Sequence, residues 1–139
     1  MNARPDSQRD RGSVMPMTVI LITFLMFGTW SLVSASQQWS ARREAHGAAA
    51  AAARAGAQGD PDQFRAGLVI DPEAATGRAQ AILAATGYTG TVTVDGLTVT
   101  VTVEVPVDYA FPSAGFPESV SGSATAVVQR GVTGEEEGG

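Results

Sequence analysis

The chain has 139 residues, enough for one ordinary domain, with a formal net charge of −5 and a pI near 4.7. All nine basic residues are arginines scattered along an acidic chain, so it lacks the clustered cations that displace counterions from nucleic acid, and no nucleic-acid partner is expected. The absence of cysteine excludes disulfides, thiolate metal sites and cysteine nucleophiles.

Residues 1–13 are polar and read as a short cytoplasmic tail, with Arg4, Arg9 and Arg11 set against Asp6 and Asp10. Val14–Ala35 is a run of 22 residues without a charge. A bilayer core needs roughly 20 helical residues, so this run predicts a transmembrane helix in contact with membrane lipid. Pro16 falls in what the pattern makes the first helical turn, where its missing N–H costs nothing. Trp30 and Trp39 suit the outer part of the span and the headgroup region beyond it. The competing reading is a signal peptide cut after Val33-Ser34-Ala35. The apolar run is longer than a signal peptide requires, and helix-favouring sequence continues straight through the cut, so a retained anchor is expected.

Residues 36–58 hold no proline and a tract of consecutive alanines, Ala48–Ala53. Alanine is the best helix former, which predicts one unbroken helix from about Met17 to Ala57, ended by Gly59-Asp60-Pro61-Asp62. Three arginines flank the span on each side, the second set being Arg42, Arg43 and Arg54. The short tail and its α-amino group favour an N-terminus inside the cell and a C-terminal domain outside it.

Residues 59–131 read as that extracytoplasmic domain. With tails and span removed, 96 residues (36–131) remain for the soluble part, a size that leaves little room for a deep cavity. Asp71-Pro72-Glu73 has the order of an N-cap, a proline at N1 and an acid in the first turn. Ala75, Ala79, Ile82 and Leu83 then give a short helix its apolar face, and Gly87 its C-cap. From Thr91 to Val107 apolar and polar residues alternate strictly, and Asp95-Gly96 reads as a two-residue hairpin turn pairing Val94 with Leu97 and Val92 with Val99. Pro106, Pro112 and Pro117 make the next stretch irregular chain. Ser119–Arg130 alternates again, with Val120, Gly122, Ala124, Ala126 and Val128 on one side. Residues 132–139, with Glu135–Glu137, have nothing to bury and read as a disordered acidic tail. The expected fold class is α+β: a long N-terminal transmembrane helix continuing into a domain with a short helix and a three-stranded antiparallel sheet.

No group of residues points to catalysis, a cofactor or a metal. His46 is the single histidine and stands on the long helix. Asp71 and Asp95 are explained by cap and turn, and Glu104 falls on the polar face of its strand. Gly28, Ser31 and Ala35 form one small-residue face within the span, of the kind that lets transmembrane helices pack closely, so an oligomer through that helix is a candidate.

Arg11-Gly12-Ser13-Val14, the apolar span, Arg42-Arg43-Glu44-Ala45-His46-Gly47 and the alanine-rich run to Ala57 resemble the TadE/TadG-like proteins, in particular actinobacterial members. The resemblance implies a pilin-like, minor pilin or pseudopilin component of a tight-adherence (Tad/Flp) pilus or secretion assembly, with other pilin-like or pilus-assembly proteins as partners. It makes Gly12 and Ser13 the candidate prepilin-type cleavage site. Prepilin-like chains carry Glu at the fifth mature position, whereas that position here is Met17, preceded by Pro16. An uncleaved, membrane-resident assembly role therefore fits better than a major filament subunit. The alternative function is a membrane-tethered or secreted module that binds an extracellular ligand.

Overall fold

The computed structural model describes residues 11–58, 67, 69–112 and 115–128, with side chains described from Val14 onward. Within them, α1 spans Arg11–Ala57, α2 spans Pro72–Thr86, and β1 (Thr89–Asp95), β2 (Thr98–Pro106) and β3 (Ser119–Val127) form one antiparallel sheet in the order β1-β2-β3. The fold class is α+β, as the sequence predicts. The acidic tail and the proposed helix stop at Gly59–Asp62 lie outside the described residues.

α1 has 47 residues and extends for roughly 70 Å. It starts six residues earlier than the sequence pattern suggests, so Pro16 sits inside the helix and not in its first turn. One missing hydrogen bond near the helix start does not outweigh the apolar run that follows it. The helix passes through Val33-Ser34-Ala35 without a break.

α2 is punctuated as its sequence dictates. The Asp71 side chain accepts a hydrogen bond from the Glu73 N–H at 3.1 Å, and Pro72 begins the helix. At the other end Gly87 is left-handed at φ 76°. Its N–H donates to Ala84 O and that of Tyr88 donates to Leu83 O, the two bonds of a Schellman cap. Ala75, Ala79 and Leu83 are buried and Ile82 is half-buried.

The hairpin register differs from the one read off the sequence. Asp95 pairs with Thr98 and Val94 with Val99, so the two-residue turn is Gly96-Leu97, not Asp95-Gly96. Gly96 has φ 58°, and no non-glycine residue among those described has a positive φ. A glycine followed by an ordinary residue fits a turn of the II′ kind, whereas the Asp95-Gly96 alternative would need Asp95 at positive φ as well. The shift is two residues, so every valine keeps its face.

The layers follow from that alternation. Val99, Val101, Val103 and Val105 of β2 and Val120 of β3 are buried on one face. Against them lie Ala41, Ala45, Ala48, Ala49, Ala52 and Ala53, one stripe of α1 at helical spacing. α1 covers β2 and β3, and α2 covers β1 and packs along α1. The opposite sheet face is hydroxyl-rich, with Thr93, Thr100 and Thr125 in one row and Thr91, Thr102 and Ser123 in the next. The Thr100 and Thr125 hydroxyls are 3.1 Å apart.

α1 comes close enough to β3 to exclude even a methyl group. A Cβ built on Gly122 would stand 2.6 Å from the His46 backbone nitrogen and 2.7 Å from Ala45 C. Neither atom can yield without moving the helix. Gly122→Ala should therefore destabilise the detergent-solubilised chain by about 1–3 kcal/mol in thermal unfolding. Gly47→Ala faces open space on the same helix and should be neutral or stabilising by up to about 1 kcal/mol. Equal melting temperatures for the two variants would show that the close contact is absent.

Candidate interaction surfaces

α1 divides into two lengths facing different surroundings. Every residue from Val14 to Thr29 is exposed, including Phe24 at 77% and Phe27 at 66%. This is far more contiguous apolar surface than a soluble chain leaves in water. The polar atoms inside the run are turned inward: Thr18, Thr23 and Thr29 donate to the carbonyls of Val14, Val19 and Leu25, each at 2.8 Å. The helix is long and apolar enough to cross a membrane. Beyond Trp30 its character changes, and from Ser34 onward one side is covered by the domain.

The small residues singled out in the span sit at that changeover. Gly28 is exposed with nothing within 4 Å of a built Cβ, whereas Ser31 and Ala35 are half-buried. Gly12 and Ser13 lie within the helical backbone of α1. His46 is exposed and borders a groove with Trp39, Arg42, Arg43 and the first half of β3. Among the described residues the outer edge of β3 has no strand partner. Val107 N–H donates to Glu118 O and Val128 N–H to Leu97 O, so even-numbered residues bond to β2 and odd ones, such as Ser121 and Ser123, turn their backbone groups outward. Glu104 is on the hydroxyl-rich face, where it accepts from Ser119 Oγ at 2.5 Å. Among the described residues no three His, Cys, Asp or Glu side chains are grouped as a metal site would require.

Residues 12–59 match the family described as putative Flp pilus-assembly TadE/G-like. The matched segment is α1 from Gly12 and the two residues after it, about a third of the chain, and the sheet lies beyond it. No curated protein and no solved structure matches the chain.

Three groups of contacts tie α1 to the rest, and none of them is marked by a local sequence pattern. Arg78 of α2 donates from Nε to Ala55 O at 3.3 Å and from Nη2 to Gly56 O at 3.2 Å. It thereby caps the negative end of α1 with a cation. The Tyr88 hydroxyl donates to the Glu44 carboxylate, tying the α2–β1 connection to the middle of α1. An aromatic group on the β2–β3 loop meets the span. Phe116 stands edge-on to Trp30 at 5.5 Å and 5.8 Å from Tyr109, while Phe27 lies 5.5 Å from Trp30. Gln38 donates to the Tyr109 hydroxyl at 3.1 Å, and Gln37 accepts from the Ala110 N–H at 3.4 Å. Phe111 lies over the groove beside Met26 and Trp30. The signal available in the sequence was Tyr109, Phe111 and Phe116 so close together in a chain with 6% aromatics.

The hydrogen bond to Glu44 holds the Tyr88 phenol above its ordinary value of 10.0, with desolvation and the carboxylate charge adding to it. The neutral phenol is the form the fold favours, so this stabilisation is complete below pH 10 and is lost as pH rises through the raised value. In a Tyr109→Phe background, phenolate absorbance should report ionisation above 10, and Glu44→Gln should lower the midpoint. An unchanged midpoint would mean that the bond does not form in solution.

Proposed function

We propose that this chain is a membrane-anchored, single-pass, pilin-like component, a minor pilin or pseudopilin, of a Tad/Flp-type pilus or secretion assembly. It has no enzymatic role; its N-terminus is in the cytoplasm and its α+β domain outside. The observation that carries the reading is the double use of α1: one helix supplies an exposed apolar span and then the central element of the domain's core. The match of that same helix to a pilus-assembly family supports the assembly role. Release at Ala35 is disfavoured because it would strip away Trp30 and Ser34, on which the domain packs.

The anchor is tested by carbonate washing of membranes followed by protease treatment of intact spheroplasts. The full-length chain should stay with the membrane, and protease should remove the domain from outside. A soluble domain beginning at Ser36 would overturn this reading.

Partners are reached through the exposed side of the span. Gly28 is the position where the backbone itself is bare, so van der Waals contact between close helices would centre there. Gly28→Leu should weaken crosslinking from a cysteine placed at Thr29 to neighbouring pilin-like helices and leave insertion unchanged, since leucine is at least as apolar. Crosslinking equal to the unmodified chain would place Gly28 against lipid and remove this contact from the proposal.

A further inference from the structure

The β2–β3 connection descends beside α1 to a level that the span reading places inside the membrane. Trp30 lies 16 residues after Val14, or about 24 Å along the helix, against a hydrocarbon thickness of about 30 Å. Phe116 rests on Trp30, and Phe111 reaches the groove bordered by Ile22, Met26 and Phe27. If α1 crosses a bilayer from Val14, these two rings stand within the outer leaflet, roughly 6–12 Å below the outer edge of the hydrocarbon, and not in water.

The chemistry of the loop suits that level. Between Asp108 and Glu118 no residue is charged. Pro112 and Pro117 have no N–H to satisfy. The Ala110 N–H is met by Gln37, and the Pro117 carbonyl accepts from the Tyr109 hydroxyl at 2.8 Å. Tyr109 in turn accepts from Gln38, so its polar end is tied to the part of α1 on the domain side of Trp30. Irregular backbone is excluded from the centre of a bilayer but tolerated near its surface when its polar groups are met in this way. Phe111 remains 52% exposed. Aromatic rings collect at the boundary between acyl chains and headgroups, where Trp30 already stands.

We propose that the loop flanks Tyr109–Pro112 and Gly115–Pro117 insert Phe111 and Phe116 into the outer-leaflet interface of the membrane that α1 crosses. The domain then sits on the lipid surface by two contacts, the span and the loop, and does not stand free on a stalk. The occupant of the exposed Phe111 face is lipid, because that face is continuous with the exposed run of α1 beneath it. The proposal rests on the membrane reading above.

The test is acyl-chain quenching in the full-length chain reconstituted into phosphatidylcholine vesicles, made with or without bromine on the acyl chains. Three single-tryptophan proteins are compared: native Trp30 alone (W39F), Phe111→Trp in a W30F/W39F background, and Thr93→Trp in the same background. Thr93 is on the exposed sheet face and reports the aqueous side. Bromination should quench the tryptophan at position 111 to a similar degree as Trp30, and the one at position 93 hardly at all. If Trp30 is quenched while position 111 behaves like position 93, the loop lies above the lipid and this inference is overturned with the anchor intact. If Trp30 itself is unquenched, α1 is not in the bilayer, and the anchor reading and this inference fall together. Phe116→Trp gives the same readout should the first variant fail to fold.

Discussion

The rest of this structure depends on how closely the backbone of α1 can approach the sheet. A helix that packs through leucines stands off from its partner by a full side chain. Here the contacting stripe is alanine from Ala41 to Ala53, and β3 answers with Gly122 and Ala124 beneath it. The valines of β2 fill what space remains, and Val99, Val101 and Val103 are fully buried. Each fully buried valine contributes about 1.5–3 kcal/mol relative to exposure. In so small a domain these contributions depend on there being no gap between the layers. Close approach recurs at the end of α1, where a Cβ on Gly56 would meet Val99 at 2.9 Å and Arg78 of α2 reaches the carbonyls of Ala55 and Gly56.

Where a residue's role follows from its immediate neighbours in the chain, the sequence announces it. The Asp71-Pro72 start, the Gly87 stop, the strand faces and the uncharged run could all be read directly, since capping, alternation and length are local properties. The pattern places the hairpin turn one residue early because Asp-Gly and Gly-Leu both offer a glycine, and only the backbone angle at Asp95, which is not positive, decides between them. Choosing either keeps the valines inward, so hydrophobic patterning could not discriminate. Arg78, the Tyr88–Glu44 bond and the seating of Phe116 on Trp30 join residues 22, 44 and 86 positions apart. No periodicity encodes such pairs. The prolines around Phe111 correctly marked irregular chain, but irregularity says nothing about which way the loop turns.

The side chains of α1 are sorted by solvent along its length. From Val14 to Thr29 they are large and apolar all round, as a helix in hydrocarbon requires, with the threonine hydroxyls bonded back to their own backbone. Past Ser34 the helix is amphipathic in an unusual way: its buried side is small, and its open side carries Arg42, Arg43 and His46. Arg42 and Arg43 flank the edge of β3 that is unpaired among the described residues, where outward-facing backbone groups would otherwise invite pairing with another strand. Charge beside an open edge is a known means of discouraging indiscriminate association. The same strand exposes Ser121, Ser123 and Thr125 with Val127 as the one large apolar residue, which keeps most of that sheet face polar.

Continuity of α1 through Ala35 has a mechanical consequence. No glycine pair, proline or break interrupts the helix between Trp30 and the first buried alanine, Ala41, so span and core turn together. Any tilt that lipid thickness or a neighbouring helix imposes on Val14–Thr29 is carried directly into the sheet packed on Ala45–Ala53. Assembly through the span would therefore orient the exposed domain as well as hold it, without a flexible joint. This places an unusual demand on the helix–helix contact. In the assembly proposed above, Met17 would stand where prepilin-like chains have a carboxylate, and it brings no charge to set a register. Position along a partner would then come from shape, from the bare backbone at Gly28 and the bulky rings at Phe24 and Phe27 that border it. Contact of that kind would set the angle of the domain through the fit of side chains along the whole length of the span, and not through one fixed charged pair.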